Sequence, residues 1–230
     1  MNEQMKIFVI NLDSAQDRWA HYKGDVKYTR WSATSIDDLS HDHPIYENMV
    51  SMWNIDPREH QAKSCCFLSH TRLWRYIVTN KINDVLILED DAHLVNDIPD
   101  SSTLPQDGFT YLGGLTYNKK LTSGPLPVEF DEGITKIDHS KYRLLMCLAI
   151  YIPHWSVAFK MLQAAEERGR PRAIDTMILH TKREQYVSYP SSFVERPDPS
   201  QIRASKSKFS NSHYERVSGK EVLNEINQCD

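Results

Sequence analysis

The sequence contains no run approaching the roughly 18 consecutive apolar residues that a membrane-spanning helix requires. Its first residues, MNEQMKIFVINLDSAQ, also lack a secretory core, because the apolar stretch is short and an Asp follows at once. The expectation is a cytoplasmic protein, of a bacterial cell or a virus-infected host. Cysteine is sparse. Cys65, Cys66, Cys147 and Cys229 offer no CxxC pair for zinc and are too few for a disulfide scaffold, so buried reduced thiols are expected. Basic charge is not in excess: 27 Lys and Arg stand against 31 Asp and Glu, for a formal net charge of -4. That balance disfavours nucleic acid as a partner and leaves only local basic patches open. A GxxxxGK[ST] phosphate loop is missing, as is a GxGxxG turn after the first strand, so ATPase and dinucleotide-dehydrogenase chemistry lose support. There are no internal repeats.

What is present reads as an α/β chain. The 230 residues are 40% hydrophobic and 25% charged, enough for one medium-sized domain with a sizeable core. KIFVINL (6–12) is a β-rich run, followed by a polar stretch with Asp13, Asp17 and Arg18 that opens a helix carrying Trp19 and Tyr22. Residues 26–33 alternate as a second strand, and 36–60 read as loops with a short helix near 45–53. Residues 62–79 place Phe67, Leu68, Leu73, Trp74, Ile77 and Val78 on one helical stripe. DVLIL (84–88) is a short, continuously apolar strand of the kind buried on both faces. Further on come a strand at 109–115, a long loop or hairpin at 117–141 and a strand at 144–152. Helices at 155–168 and 171–181 and a strand at 186–189 follow, and an irregular tail begins near 195, with a helix at 219–228. Alternating strands and helices argue for a mostly parallel central sheet flanked by helices, with ligands beyond the carboxyl ends of the strands.

Two such strand ends carry polar residues: Asn11-Leu12-Asp13 and Glu89-Asp90-Asp91. Three adjacent acids can cap a helix, form a solvated turn, or hold a divalent cation that neutralises them. Delivery by a buried strand into the expected crevice favours the cation. Mg²⁺ and Mn²⁺ bind through one or two carboxylates plus substrate phosphates, as an enzyme handling a nucleoside diphosphate requires. Asp91 is the first choice of metal ligand. Strand alternation puts Glu89 on its side and Asp90 opposite. Arg18 suits a diphosphate, or else forms a surface ion pair with Asp13 or Asp17. Ser69 and His70 fall in the expected first turn of the 62–79 helix, where backbone N–H groups favour phosphate.

The segments IFVINLDSAQDRW (7–19), RWSATSID (30–37), CCFLSHTRLW (65–74) and VLILEDDA (85–92) resemble, in order and spacing, glycosyltransferase family 25. TYLGG (110–114), LAIYIPHWSVAFKML (148–162), RAIDTMILHT (172–181) and YPSSFVERPDPSQIRAS (189–205) extend the resemblance over roughly residues 5–207. Cys65 departs from the Gly usual in the family, and Ser14 and Ala15 replace common basic residues.

The resemblance implies a GT-A glycosyltransferase domain over 1–207, with a C-terminal tail at 208–230. It implies a nucleotide-sugar donor, usually a UDP-sugar, a divalent metal (Mn²⁺ or Mg²⁺), inverting hexosyl transfer, and a glycan, protein or other hydroxyl acceptor. Asp91 with Glu89 or Asp90 would hold metal and ribose. Asn11, Leu12, Asp13 and Arg18 would line the nucleotide site, with Ala33 and Thr34 near the base. Asp175 matches the family's Asp and is the candidate general base for the acceptor hydroxyl. His180 or His213 could complete the metal site, and Tyr117 is an acceptor-side candidate. The alternatives are a nucleotidyltransferase, or a non-catalytic nucleotide- or sugar-binding domain.

Overall fold

The run KIFVIN forms β1 (Lys6–Asn11), buried from Ile7 onward. It pairs in parallel with β2 (Tyr28–Ser32) on one side and β3 (Val85–Glu89) on the other, with Ile10 opposite both Trp31 and Glu89. The computed structural model describes residues 4–39, 57–118, 130–167, 174–178, 181 and 183–196. The remaining strands are β4 (Ala92–Leu94), β5 (Gly108–Asn118), β6 (Gly133–Lys136), β7 (Tyr142–Ile152), β8 (Glu184–Tyr189) and β9 (Phe193–Glu195). The sheet runs β2-β1-β3-β7-β5-β8-β6, and β9 joins β4 to β5 at its margin.

The helices are α1 (Gln16–Ala20), α2 (Pro57–Thr79), α3 (Trp155–Glu167) and α4 (Ile174–Ile178). Strand alternation divides the core into two layers. Phe8, Ile10, Val85 and Ile87 face a layer filled by Leu73, Trp74 and Ile77 of α2, Met161 of α3 and Met177 of α4. Ile7, Val9, Leu86 and Leu88 face the opposite layer, which holds Tyr22, Leu112 and Phe193. β3 is therefore apolar from Val85 to Leu88 because both of its faces are covered there. Among the described residues, no helix is long and apolar enough to cross a membrane.

Several sequence expectations need correction. The sheet is mixed. β7 runs antiparallel to both β3 and β5, while β8 is parallel to β5 and β6 antiparallel to β8. Alternating elements could not reveal this, because both faces of β7 are covered whichever way it runs. α2 begins at Pro57 rather than 62, so its first turns precede the apolar stripe. The stretch 117–141, expected as a loop or hairpin, contains the end of β5 and all of β6, which pairs with β8. The three-residue strands β4 and β9 were too short to show a period. The helices expected near 45–53 and 219–228 lie outside the described residues.

Leu88 is fully buried between Val9 of β1 and Ala149 of β7. Leu88→Ala should cost about 2–5 kcal/mol, as a deleted core side chain leaves a cavity. The check is a denaturant melt whose midpoint falls while its slope is unchanged.

Candidate active site

β3 ends at Glu89, and Asp90 and Asp91 form the turn into β4. Alternation carries Glu89 to the α2 side with Val85 and Ile87. Asp90 follows Leu86 and Leu88 to the α1 side. There it is 8% exposed and fully engaged: Arg18 Nη1 approaches Oδ1 to 2.9 Å, and Asn11 Nδ2 donates to Oδ2 at 2.8 Å. Burial nonetheless holds the Asp90 carboxyl above its ordinary range, with the Arg18 charge and the Asn11 hydrogen bond opposing the shift.

Asn11, wholly buried at the end of β1, has both amide N–H donors engaged, one of them on Asp90. The other donates to the Ala15 carbonyl at 3.0 Å, and the side-chain oxygen accepts from Arg30 Nε at 2.8 Å. Arg30 further donates to the Leu12 carbonyl at 2.9 Å and lies over the Trp19 ring. These bonds tie β1, β2, β3 and α1 together at one point.

The turn itself is clamped from below. The Tyr22 hydroxyl lies 3.0 Å from the Glu89 carbonyl and 2.6 Å from the Ala92 carbonyl, spanning both ends of the turn. Burial first, then Asp91 and Asp90, push the Tyr22 hydroxyl far above its usual range, so it remains a neutral donor. The Arg196 amide donates to the Asp91 carbonyl at 2.8 Å. The Asp91 side chain is less well served. Its Oδ1 is buried with no hydrogen-bond partner among the described residues. Its carboxyl is pushed well above the ordinary range by burial, then by Glu89, Glu195 and Asp90, with only Arg18 opposing. A site where three carboxylates act on a fourth against one guanidinium, with an orphaned carboxylate oxygen, fits a bound cation.

These groups open onto a cavity of about 190 Å³ beyond the ends of β1 and β3. Leu12, Arg18, Ala33, Thr34, Ser69, His70, Glu89, Asp90 and Asp91 all line it, with Ile36 and Ala62 among the apolar remainder. Asp90 therefore does not turn away from the crevice, as alternation suggested. The cavity lies past the strand's last residue and is open to both of its faces.

The α2 wall also differs from expectation. Ser69 and His70 sit in the middle of a helix that starts at Pro57, so no helix N-terminus points at the cavity there. The Ser69 hydroxyl donates to the Cys65 carbonyl at 2.6 Å and accepts from the Thr34 amide at 2.8 Å, holding the loop after β2 against α2. Arg72 Nη1 donates to Thr34 Oγ1 at 3.0 Å from the same side. His70, 1% exposed, places Nε2 at 3.3 Å from Glu89 Oε1, and Cys66 Sγ donates to the same oxygen at 3.8 Å. Cys66, His70 and Glu89 form a group that could hold a metal ion.

Of the other expected site residues, Asn11 lies behind the cavity as the support of Asp90. Asp13 is exposed and bound to Ser32 Oγ at 2.8 Å and Arg30 at 3.4 Å. Arg18 pairs with Asp90, not with Asp13 or Asp17. The side chains of Tyr117 and Asp175, and His180 and His213 entirely, lie outside the described residues. Sequence reasoning missed Tyr22, Arg30 and Cys66. Cys66 and His70 are four residues apart in a helical stretch, the spacing that stacks two side chains on one face. That signal was available, whereas nothing marked Tyr22 or Arg30.

Arg18→Met would leave Asp90 buried beside Asn11 alone and should cost about 3 kcal/mol, as loss of one partner of a buried pair does. The loss should shrink under acid. A carboxyl whose folded value is raised contributes its full stability below the unfolded value and loses it as pH rises toward the folded one. The same sign governs Asp91. Metal-free Asp91→Asn should melt higher than wild type near neutral pH, and the difference should vanish below pH of about 4, under the unfolded value, where the carboxyl is protonated in both states. Thermal melts across that range check both outcomes.

A family model for glycosyltransferase family 25 (LPS biosynthesis protein) matches residues 4–118, which is 115 of 230 residues, or half of the chain. Every cavity-lining residue falls inside that span, from Ile10 to Asp91. The later segments that resembled the family, Asp175 among them, fall outside it. No curated protein matches the chain. The ordered segments from INLD to LEDD and the family match agree, and the chain belongs to glycosyltransferase family 25.

Proposed function

We propose that this protein is a metal-dependent, inverting glycosyltransferase of GT-A architecture, moving a sugar from a nucleotide-sugar, first among them a UDP-sugar, to a hydroxyl acceptor. One observation carries the reading beyond family membership. A cavity at the strand ends is walled by Glu89, Asp90 and Asp91, and a buried Asp91 oxygen there lacks any hydrogen-bond donor among the described residues.

Asp91 and Glu89 would hold the cation, Mn²⁺ or Mg²⁺, whose oxygen preference suits carboxylates. When bound, it supplies positive charge that neutralises the departing diphosphate. The protein's own groups do the rest. Arg18 spends one N–H on Asp90, and the other N–H bonds of its fork suit phosphate oxygens. Asp90 fixes that guanidinium in place and is in turn fixed by Asn11. Ala33, Thr34 and Ile36 form an apolar and hydroxyl-bearing wall suited to a base and ribose. Asp175 is assigned the general base. It takes the acceptor's proton as the acceptor oxygen bonds to the anomeric carbon, whose bond to the diphosphate breaks with inversion. Tyr117 is assigned to the acceptor side.

A thermal-shift panel of UDP-, GDP- and TDP-sugars, with and without Mn²⁺, tests base, sugar and metal dependence together, because ligand binding raises the melting temperature. A metal-dependent shift with one nucleotide series is expected, accompanied by release of the nucleoside diphosphate. Asp91→Ala should lower donor turnover by about 100-fold or more, the scale of losing a main electrostatic stabiliser. Full turnover by Asp91→Ala in Mn²⁺ buffer, or pyrophosphate released from a nucleoside triphosphate instead, would sink the proposal.

A further inference from the structure

Cys66 and His70 lie one turn apart on α2, and both reach toward Glu89 at the end of β3. Their donor atoms all lie within 4.8 Å of one another. We propose that Cys66, His70 and Glu89 form a binding site for a thiophilic divalent cation of the Zn²⁺ class, and that this site shares Glu89 with the carboxylate site for Mn²⁺ or Mg²⁺.

The spacing supports a single ion rather than a chance cluster. Tetrahedral zinc at ordinary bond lengths sets its nitrogen and oxygen ligands about 3.4 Å apart, and its sulfur and oxygen ligands about 3.6 Å apart. The corresponding separations here are 3.3 Å for His70 Nε2 to Glu89 Oε1 and 3.8 Å for Cys66 Sγ to Glu89 Oε1. The third separation, Cys66 Sγ to the His70 ligand nitrogen, lies within 4.8 Å, and side-chain rotation on binding brings the three donors to one ion. Three protein ligands leave a fourth position for water or a substrate oxygen, and the group faces the cavity rather than the sealed core.

The donor set decides which metal is taken. Thiolate and imidazole select zinc and its neighbours, whereas Mg²⁺ and Mn²⁺ prefer the oxygens of Asp91 and Glu89. The scaffold holds the ligands in advance. Cys66 and His70 ride on a helix fixed by Trp74 and Leu73, and Glu89 is fixed through its carbonyl by Tyr22. Binding replaces the Cys66 thiol proton with the metal, and that proton leaves to solvent. Because Glu89 belongs to both sites, zinc bound by Cys66 and His70 draws this carboxylate away from Asp91. Zn²⁺ is then a competitor of Mn²⁺ and not a substitute for it. The orphaned Asp91 oxygen in the same cavity is a second, separate acceptor, so the pocket carries a soft side and a hard side.

The Zn²⁺-class site stands whether or not the chain transfers a sugar, because its test reads binding. Metal-free, reduced full-length protein is titrated with Co²⁺ as a spectroscopic stand-in for zinc. A near-ultraviolet thiolate-to-cobalt charge-transfer band should appear at one equivalent and be abolished by Zn²⁺, and in excess Mg²⁺ it should still form but at a higher Co²⁺ concentration, as competition for the shared Glu89 requires. Cys66→Ser should remove the band and weaken Zn²⁺ binding at least about tenfold, the lower scale of loss for a disturbed metal shell. Cys65→Ser should keep the band, since the group is made by Cys66, His70 and Glu89 and the buried Cys65 thiol is not part of it. His70→Gln, and Cys66→Ala should Cys66→Ser not fold, are melted without metal first so that only folded protein is compared. Cobalt binding without a thiolate band, a band lost with Cys65 rather than Cys66, or equal Zn²⁺ affinity in wild type and Cys66→Ser would each overturn the proposal. Failure of the donor panel with a normal cobalt band would instead count against the transferase reading alone.

Discussion

The buried contact of Asp90 with Arg18 and Asn11 is the constraint on which the site depends. Asp90 is the point where β1, β3 and α1 meet, and Arg30 extends the contact to β2. An ion pair so deep offsets a large desolvation cost only when its remaining hydrogen bonds are satisfied. Asn11 meets that condition with its amide on Asp90 and Ala15 and its carbonyl oxygen on Arg30. The strand ends are thereby held in fixed relation at the edge of the cavity that lies beyond them.

The three adjacent acids consequently do different work. Asp90 is a structural anion with its cation already supplied. Glu89 leans to the α2 side and meets an imidazole and a thiol. Asp91 sits in the turn, held by one backbone bond from the Arg196 amide, with one side-chain oxygen lacking any donor among the described residues. Like charges packed this closely are tolerated because each is met by different chemistry: a guanidinium, an imidazole and thiol, and, in the proposed reading, a divalent cation. Asp91 is the least well served of the three, which in the proposed reading is what a residue kept for a ligand and not for stability looks like.

Much of this was legible in the sequence where the signal was local and periodic. The apolar runs of β1 and β3, the stripe of α2 and the delivery of EDD to a strand end all follow from spacing that two or three residues determine. The direction of β7 did not follow, since a strand covered on both faces carries the same apolar pattern whichever way it runs. The start of α2 at Pro57 was hidden because its first turns lack the apolar stripe, and with that start the idea of a helix N-terminus at Ser69 disappears. Alternation sent Asp90 to the face opposite Glu89, as observed, but exclusion from the crevice did not follow, because periodicity has no meaning past the last residue of a strand. Tyr22 and Arg30 act through backbone carbonyls and a buried amide. No pattern in the chain marks a residue that will find such partners across the fold.

The two halves of the sheet suggest a division of labour. The described cavity-lining residues come from the ends of β1 and β3, the loops that follow β1, β2 and β3, α1 through Arg18, and α2, between Ile10 and Asp91. Parallel strands end together at one edge, so their loops converge, and a ligand with several phosphate oxygens can be met from several chain segments at once. Among the described residues, the antiparallel partners β7 and β5 bring none to that cavity. They extend the sheet away from it and carry α3 and α4 on the same face as α2. In the proposed reading this is the geometry a transferase needs. One rigid edge holds the charged, invariant part of the donor, while the acceptor is met by segments that can differ without disturbing the carboxylates. Asp175, on a helix packed beside α2 rather than on a strand end, would belong to the second group.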